Sequence, residues 1–88
     1  MKPASRVFKA LCDETRFKLV ENLLCGEKCV CELIKPTGRA QSTVSLQLRK
    51  LESEGIVESR RAGKNIYYQL KDPRVSKIFK VLGYKVNG

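Results

Sequence analysis

The sequence feature that most limits the possible folds is a helical segment followed at once by two strand-like runs. At 100° per residue, Leu48 and Leu51 fall at about 40° and about 340° from Val44, so the apolar residues of segment 40–54 form one narrow stripe. Segment 56–70 then contains two β-rich runs on either side of a glycine-containing turn, which is typical of a hairpin. The second half of the chain is therefore expected to contain a helix buried along one stripe and a hairpin beside it.

The rest of the chain is predicted to be helical. A first helix, opened by Pro3 and Ser5, has the apolar positions Val7, Phe8, Ala10 and Leu11. Asp13 is expected to cap a second helix, and Cys29–Lys35 to form a third that ends before Pro36. Asp72 and Pro73 are expected to begin a last helix. The predicted fold is mostly α with a small β-hairpin, in the order α-α-α-α-β-β-α, which corresponds to a winged helix-turn-helix.

Length and charge restrict the possible functions. The 88 residues suffice for one unit, so residues 1–88 are expected to form a single domain. Lys and Arg number 18 against 9 Asp and Glu, which gives a net charge of +9 and favours a polyanionic partner, either nucleic acid or an anionic membrane. The basic residues are not gathered on one strongly amphipathic helix, so nucleic acid is favoured and membrane binding is not expected. The chain has no histidine, which excludes His-based catalysis, and no enzymatic activity is expected.

The helix of segment 40–54 is the candidate for reading double-stranded DNA. The side opposite its apolar stripe carries mostly small or basic residues, which allow close approach to base edges and phosphates. The predicted contacts on this helix are Gln41, Ser42, Thr43, Ser45, Leu46 and Arg49. A basic cluster at the hairpin tip is predicted to hold phosphates or the minor groove, and consists of Arg60, Arg61 and Lys64. The alternatives are an ordinary amphipathic surface helix and a hairpin tip whose charges only protect a sheet edge.

The four cysteines are a second candidate functional feature. The sequence begins without an apolar stretch, so no signal peptide or membrane span is predicted and a cytoplasmic location with reduced thiols is expected. Cys12 is expected to be a small buried residue. Cys29 and Cys31 lie at a helix entry beside Lys28, which favours thiolates. Residues two apart on a regular helix point about 200° apart, so the two sulfurs can share one ion only if Cys29 lies in the unwound entry.

Several segments in this order resemble the ArsR/SmtB family of winged-helix transcriptional repressors, over nearly the whole chain. The segments are Lys9–Arg16 (KALCDETR), Cys29–Leu33 (CVCEL), Gln41–Ser45 (QSTVS), Leu48–Leu51 (LRKL), Glu54–Val57 (EGIV), Ser59–Arg61 (SRR) and Ile66–Tyr68 (IYY). The resemblance implies a homodimer built through the first and last helices, which binds operator DNA until a metal ion or an oxidant releases it. The family's histidine-containing zinc site in the last helix cannot exist in a chain without histidine.

The motif Cys29-Val30-Cys31 resembles the sensing motif of family members that bind arsenite, cadmium or lead. In the arsenite-type pattern a third cysteine follows, but this chain has Ile34 there. Cys25 is the predicted third ligand, and Cys12 of the same or the partner chain is the alternative. No obligatory cofactor is expected, and the predicted inducer is a soft ion such as arsenite, cadmium, lead or zinc.

Oxidation is the rival signal, in which Cys25 or Cys12 forms a reversible disulfide or polysulfide link with Cys29 or Cys31. The Cys29–Cys31 pair itself is expected to be strained as a disulfide. A remote alternative is a small thiol protein without a DNA function, but the chain lacks the Cys-x-x-Cys motif and the βαβ pattern of thiol oxidoreductases.

Overall fold

Helix caps and glycine turns divide the chain into elements close to those expected. In the computed structural model, which describes residues 3–86, five helices accompany one three-stranded antiparallel sheet. The elements are α1 (Pro3–Leu11), α2 (Glu14–Leu23), β1 (Lys28–Cys29), α3 (Val30–Thr37), α4 (Gln41–Ser53), β2 (Val57–Ala62), β3 (Asn65–Leu70) and α5 (Pro73–Val81). The mostly helical winged helix-turn-helix is thus confirmed, with one additional short strand.

Aspartate caps begin two of the helices. The Asp13 carboxylate accepts a hydrogen bond from the backbone N–H of Arg16 at 3.0 Å, as expected for the start of α2. The Asp72 carboxylate accepts from the backbone N–H of Arg74 at 2.9 Å, and Pro73 follows as the first residue of α5. Each cap satisfies an amide that has no partner within its own helix.

The predicted stripe of α4 lies in the centre of the core. Val44, Leu48 and Leu51 are all 0% exposed. They pack in one cluster with residues of the other helices and of the sheet, among them Leu33 of α3 and Val57 of β2. Because the whole stripe is buried, the rotation of α4 is fixed and the opposite side of the helix faces solvent.

The C-terminal part of the chain packs back on α2, but not all of its apolar residues are covered. The Phe79 ring lies 5.1 Å, centroid to centroid, from the rings of both Phe17 and Tyr84, and the Tyr84 hydroxyl donates to the Glu21 carboxylate at 2.6 Å. Three large apolar side chains remain exposed at the two ends of the chain. They are Phe8 of α1 (56%), Val81 of α5 (86%) and Leu82, the C-cap residue of α5 (63%). Phe8 and Leu82 therefore stay outside the core of the single chain.

Strand β1 is absent from the predicted order of elements. Its two residues pair with β3, in the register Lys28 with Tyr68 and Cys29 with Tyr67. The sheet order is β1-β3-β2, so β1 forms one edge and the hairpin the rest. A two-residue strand carries no periodicity, and its extended backbone results from pairing with a distant segment.

The predicted bounds of the third helix are wrong at its end. α3 continues through Pro36 to Thr37, and Gly38 ends it in a left-handed conformation with φ of 68°. Proline stands in the final turn, where its missing N–H removes only one helical hydrogen bond. The Thr37 hydroxyl donates to the Leu33 carbonyl at 2.7 Å and stabilises the same turn. The tight turn between α3 and α4 is therefore made by Gly38 and the two residues after it, without the proline.

Candidate DNA-binding surface and cysteine pair

The six α4 residues predicted to contact DNA all lie outside the buried stripe of that helix. Their exposure divides them into two groups: Gln41, Ser42, Leu46 and Arg49 are exposed, and Thr43 and Ser45 are half-buried. The apolar Leu46 is 45% exposed. All six residues thus lie outside the buried stripe of a single helix, and four of them are exposed.

The N-terminus of α4 has backbone donors that no side chain of the helix caps. Ala40 is the N-cap residue and, having only a methyl group, forms no side-chain cap bond. The first amides of a helix have no carbonyl partner inside the helix, and they carry partial positive charge. An uncapped helix start of this kind is suited to contact a phosphate oxygen.

An arginine that the sequence reasoning missed holds α4 against the first two helices. The Arg16 side chain donates through Nε to the Ala10 carbonyl at 2.7 Å, and through Nη1 to Oε1 of Gln47 at 2.9 Å. Gln47 lies on α4, so one guanidinium joins the end of α1, the start of α2 and α4. No local pattern predicts this contact, because Arg16 and Gln47 are 31 residues apart in the chain.

The two adjacent arginines of β2 lie on opposite faces of the sheet. Side chains alternate along a strand, so Arg61 shares a face with Ser59, whose hydroxyl donates to the Glu52 carboxylate of α4 at 2.7 Å. Arg61 is therefore on the α4 side of the hairpin. Lys64 lies in the turn beside Gly63, and both Arg61 and Lys64 are exposed.

Arg60 occupies a different place from the one predicted. It was expected with Arg61 and Lys64 at the hairpin tip, but its guanidinium lies over the Tyr67 ring, 4.9 Å from the centroid. From there it donates to both carboxylate oxygens of Glu27, at 2.8 and 2.7 Å. The clustering of all three basic residues at the tip is thus wrong, because strand alternation directs Arg60 to the other face, where Glu27 neutralises it.

The ion pair shifts the pKa of both partners. The hydrogen bonds from Arg60 hold the pKa of the Glu27 carboxyl below its ordinary value, and the same bonds raise the pKa of Arg60. Both groups are therefore charged at neutral pH. Their bidentate geometry is the strong form of an arginine–carboxylate contact.

The cysteine pair lies where α3 begins. Cys29 is the N-cap residue of α3, with an extended backbone (φ −72°, ψ 151°), and its sulfur accepts a hydrogen bond from the N–H of Cys31 at 3.2 Å. The Glu32 carboxylate accepts in return from the N–H of Cys29 at 2.9 Å. The non-helical entry required for the two sulfurs to converge is therefore present. Cys29 is 5% exposed, whereas Cys31 is exposed.

Cys29 and Cys31 are joined as a disulfide, with their Cα atoms 5.3 Å apart. The other two cysteines take no part in this bond: Cys12 and Cys25 are both exposed. The expectation that Cys12 is buried is wrong, because it lies in the short connection after α1 and outside the packed face of that helix.

A closed three-ligand metal site is not assembled within residues 3–86 of one chain. No group of three or more Cys, Asp, Glu or His side chains among them is placed to hold a metal ion. The two convergent sulfurs are soft ligands and, once reduced, fit two positions of a thiophilic ion. A third ligand from Cys25 or Cys12 stays a prediction.

Comparison with known proteins identifies the family. The model described as "Bacterial regulatory protein, arsR family" matches residues 13–59, which is more than half of the chain. The chain belongs to the ArsR family. The matched ArsR segment runs from the cap of α2 to the first residues of β2, and so contains the cysteine pair and all of α4.

Two curated relatives and one solved structure illustrate this ArsR similarity. The transcriptional repressor SmtB homolog of Synechocystis is 41% identical over 83% of this chain and 55% of its own length. The cadmium resistance transcriptional regulatory protein CadC homolog of Staphylococcus aureus is 41% identical over 84% of this chain and 62% of its own. The homodimeric winged helix-turn-helix DNA-binding domain Mb0332 of Mycobacterium bovis superposes with a TM-score of 0.81 at 34% identity, over 91% of this chain and 74% of that one.

The ArsR chain spans only part of the length of these two curated relatives, 55% of the SmtB homolog and 62% of the CadC homolog. Both relatives are named as regulators of transcription and not as enzymes, in agreement with the sequence-based expectation. Within residues 3–86, no helix has the length and apolar character needed to cross a membrane.

Proposed function

We propose that this chain is a DNA-binding transcriptional repressor that releases its operator when the Cys29–Cys31 pair receives a chemical signal. The observation that carries the proposal is the position of Cys29, which is at once the entry to α3 and a residue of the strand paired with the hairpin. α3 is also the first helix of the helix-turn-helix and packs against α4, whereas β1 pairs with the hairpin. A change at Cys29 therefore acts on both DNA-facing elements, α4 and the hairpin.

In the proposed complex α4 lies in the major groove and the hairpin lies beside it. Arg49 is suited to a guanine edge and Leu46 to a thymine methyl group. The small residues near the start of α4 allow the backbone to approach the groove. Arg61 and Lys64 hold the phosphate backbone, which requires that affinity fall with rising salt concentration.

A homodimer completes the DNA-binding unit. The first and last helices expose apolar area at Phe8, Val81 and the C-cap residue Leu82. Burial of these large side chains against a second copy of the chain is favourable. The described homodimer of Mb0332, which shares this fold, supports the same assembly. A dimer places two α4 helices on half-sites about 34–36 Å apart on one side of the duplex.

A thiophilic metal or metalloid ion is the first candidate signal. Reduced Cys29 and Cys31 supply two sulfur ligands, and the CadC homolog with 41% identity is named for cadmium resistance. A further ligand then comes from Cys25, from Cys12, from the partner chain or from solvent. Arsenite, cadmium, lead and zinc are the ions to test, and a third protein sulfur favours the softest of them.

Thiol oxidation is the second candidate signal, and the joined sulfurs favour it. In this reaction the two thiols lose two protons and two electrons to form one S–S bond, while a low-molecular-weight disulfide gains them and becomes two thiols. The two signals exclude one another at the same pair, because an oxidised pair has no thiolates to offer a metal ion.

The test is release of a fluorescent duplex, selected from a randomised pool, from reduced protein. Cadmium, arsenite, lead, zinc and oxidised glutathione are added separately. We expect one class of reagent to lower the affinity five- to 150-fold, which corresponds to a coupling of about 1–3 kcal/mol. The double replacement Cys29→Ser with Cys31→Ser should abolish this release and keep the DNA affinity of the unliganded protein.

The matched control replaces the other two cysteines, Cys12→Ser with Cys25→Ser. If the control loses the metal response but keeps the oxidant response, Cys12 or Cys25 supplies the third ligand. A full response from the Cys29→Ser, Cys31→Ser protein would refute the proposed sensing site. Absence of DNA binding by the reduced wild-type protein at low salt would refute the repressor function itself.

A further inference from the structure

One row of residues crosses the whole sheet and joins the cysteine pair to the hairpin. The register places Cys29 of β1 opposite Tyr67 of β3, and Tyr67 opposite Arg60 of β2. Opposed residues in neighbouring strands point to the same face, so these three side chains form one line. Glu27, two residues before Cys29, closes the line by accepting both hydrogen bonds from Arg60.

The Arg60 guanidinium bridges parts of the fold that are far apart in the chain. It starts on β2, passes over the Tyr67 ring of the central strand and ends on Glu27 in the loop before β1. Arginine is suited to this arrangement, because its planar group stacks on an aromatic ring while its fork binds a carboxylate. A bidentate pair fixes direction as well as distance, and therefore limits rotation of the hairpin relative to the cysteine segment.

The same contact makes Arg60 a poor phosphate ligand. Its charge is matched by Glu27, and a phosphate could take its place only by breaking two hydrogen bonds. Arg61, on the opposite face, has no such partner within residues 3–86 and lies on the side of α4. Arg60 is therefore suited to an internal contact, whereas Arg61 is suited to a phosphate contact.

We propose that Glu27 and Arg60 are positioning residues that transmit the state of the Cys29–Cys31 pair to the hairpin. This inference rests on the proposed function and specifies which residues connect the cysteine pair to the hairpin. Joining or separating the two sulfurs moves the backbone of Cys29, and with it β1 and the loop that carries Glu27. The ion pair then turns the hairpin, and Arg61 and Lys64 with it, relative to α4.

The experiment compares Glu27→Gln, Arg60→Gln and the double variant with the wild-type protein. Glu58→Gln is the matched control, since it removes the same charge from the same face of the sheet but its carboxylate pairs with Gln69 at 3.0 Å. DNA affinity is measured against salt concentration on the selected duplex, before and after oxidised glutathione or cadmium.

For a connecting ion pair, the two single variants should lose DNA affinity equally within a factor of about two, and the double variant should lose no more than either. For each of these variants, the ratio of DNA affinity before to DNA affinity after oxidised glutathione or cadmium should approach one. The Glu58→Gln control should keep the wild-type ratio. The salt slope should stay within about 0.5 of wild type for Arg60→Gln, because no phosphate contact is removed.

Three results would overturn the inference while leaving the repressor function intact. The first is tighter DNA binding by Glu27→Gln together with a loss of about 1.8 in the salt slope of an Arg60→Gln dimer, which would make Arg60 a phosphate contact held back by Glu27. The second is the same behaviour of Glu58→Gln and Glu27→Gln, which would reduce the effect to net charge. The third is an unchanged response ratio in both single variants.

A measurement without DNA separates this inference from the proposed function. Amide hydrogen exchange of segments 57–62 and 65–70 is compared between reduced and oxidised protein. We expect a difference in the wild-type protein that disappears in Glu27→Gln and persists in Glu58→Gln. Equal exchange of the wild-type hairpin in the two thiol states would overturn the connection even if the protein proves to be a repressor.

Discussion

Removal of the charges of Arg61 and Lys64 should flatten the salt dependence of DNA binding. Both side chains are exposed at the end of the hairpin, and no ion pair within residues 3–86 involves either of them. Replacement of both by glutamine keeps a long polar side chain and removes the charge. Substitutions at exposed positions of this kind change stability by no more than about 0.5 kcal/mol, so the effect is confined to binding.

The magnitude follows from the number of charges. A dimer presents four of these side chains, and each phosphate contact contributes about 0.9 to the slope of log affinity against log salt. The slope of the double variant should therefore be smaller by about 3.6. Between about 50 and about 200 mM salt, a fourfold change, the wild-type protein should lose about 150-fold more affinity than the variant.

Fluorescence anisotropy of a labelled duplex across this salt range provides the measurement, and circular dichroism melting verifies that the variant is folded. A control variant, Lys71→Gln with Lys77→Gln, removes the same number of charges from the connection after β3 and from α5. If the control and the Arg61, Lys64 variant show equal slopes, the hairpin does not contact phosphates and the proposed docking of this surface is refuted.

Three further predictions concern the core, a helix cap and base recognition. Phe79→Ala should lower the free energy of unfolding by about 3–5 kcal/mol in urea titrations, because the side chain is 0% exposed and stacks on Phe17. Asp72→Ala should cost about 1 kcal/mol at neutral pH. Hydrogen bonds from Arg74 lower the pKa of Asp72, so its contribution exists above the ordinary carboxyl pKa and should vanish in unfolding titrations as the pH falls through the lowered value. Arg49→Ala should change the preference at one base pair by about 1–3 kcal/mol in selection experiments.

The elements with a strong local signal were predictable from the sequence. The stripe of Val44, Leu48 and Leu51 has helical periodicity over three turns, and these residues are fully buried. The hairpin has two strand-like runs around Gly63, whose φ of 62° suits the turn. Both features are decided by residues within a few positions of one another, and such features are readable without knowledge of the tertiary structure.

Features that depend on distant partners could not be predicted. β1 exists because Lys28 and Cys29 meet β3 across about forty residues of chain, and two residues contain no periodicity. The last turn of α3 tolerates Pro36 because the Thr37 hydroxyl and the Gly38 amide bond its neighbouring carbonyls, which a general rule about proline does not include.

The candidate site likewise contains residues that could be predicted from local sequence and residues that could not. The outward residues of α4 follow from the helical period, but the partner of Arg60 is 33 residues away in the chain. Strand alternation alone would have separated Arg60 from Arg61, since consecutive residues of a strand face opposite sides. It would not have identified Glu27, because nothing in the local sequence indicates which acidic residue the fold brings to that face.

The backbone of Cys29 links sensing to DNA binding in the proposed mechanism. A helical conformation there would point its sulfur away from Cys31 and would also break the pairing with Tyr67, since the extended backbone is required for both. Convergence of the sulfurs and attachment of the hairpin are thus two consequences of one pair of dihedral angles. In the proposed mechanism, a signal that changes the separation of the sulfurs therefore acts first on β1 through Cys29, and the Glu27–Arg60 pair passes this change on to the hairpin.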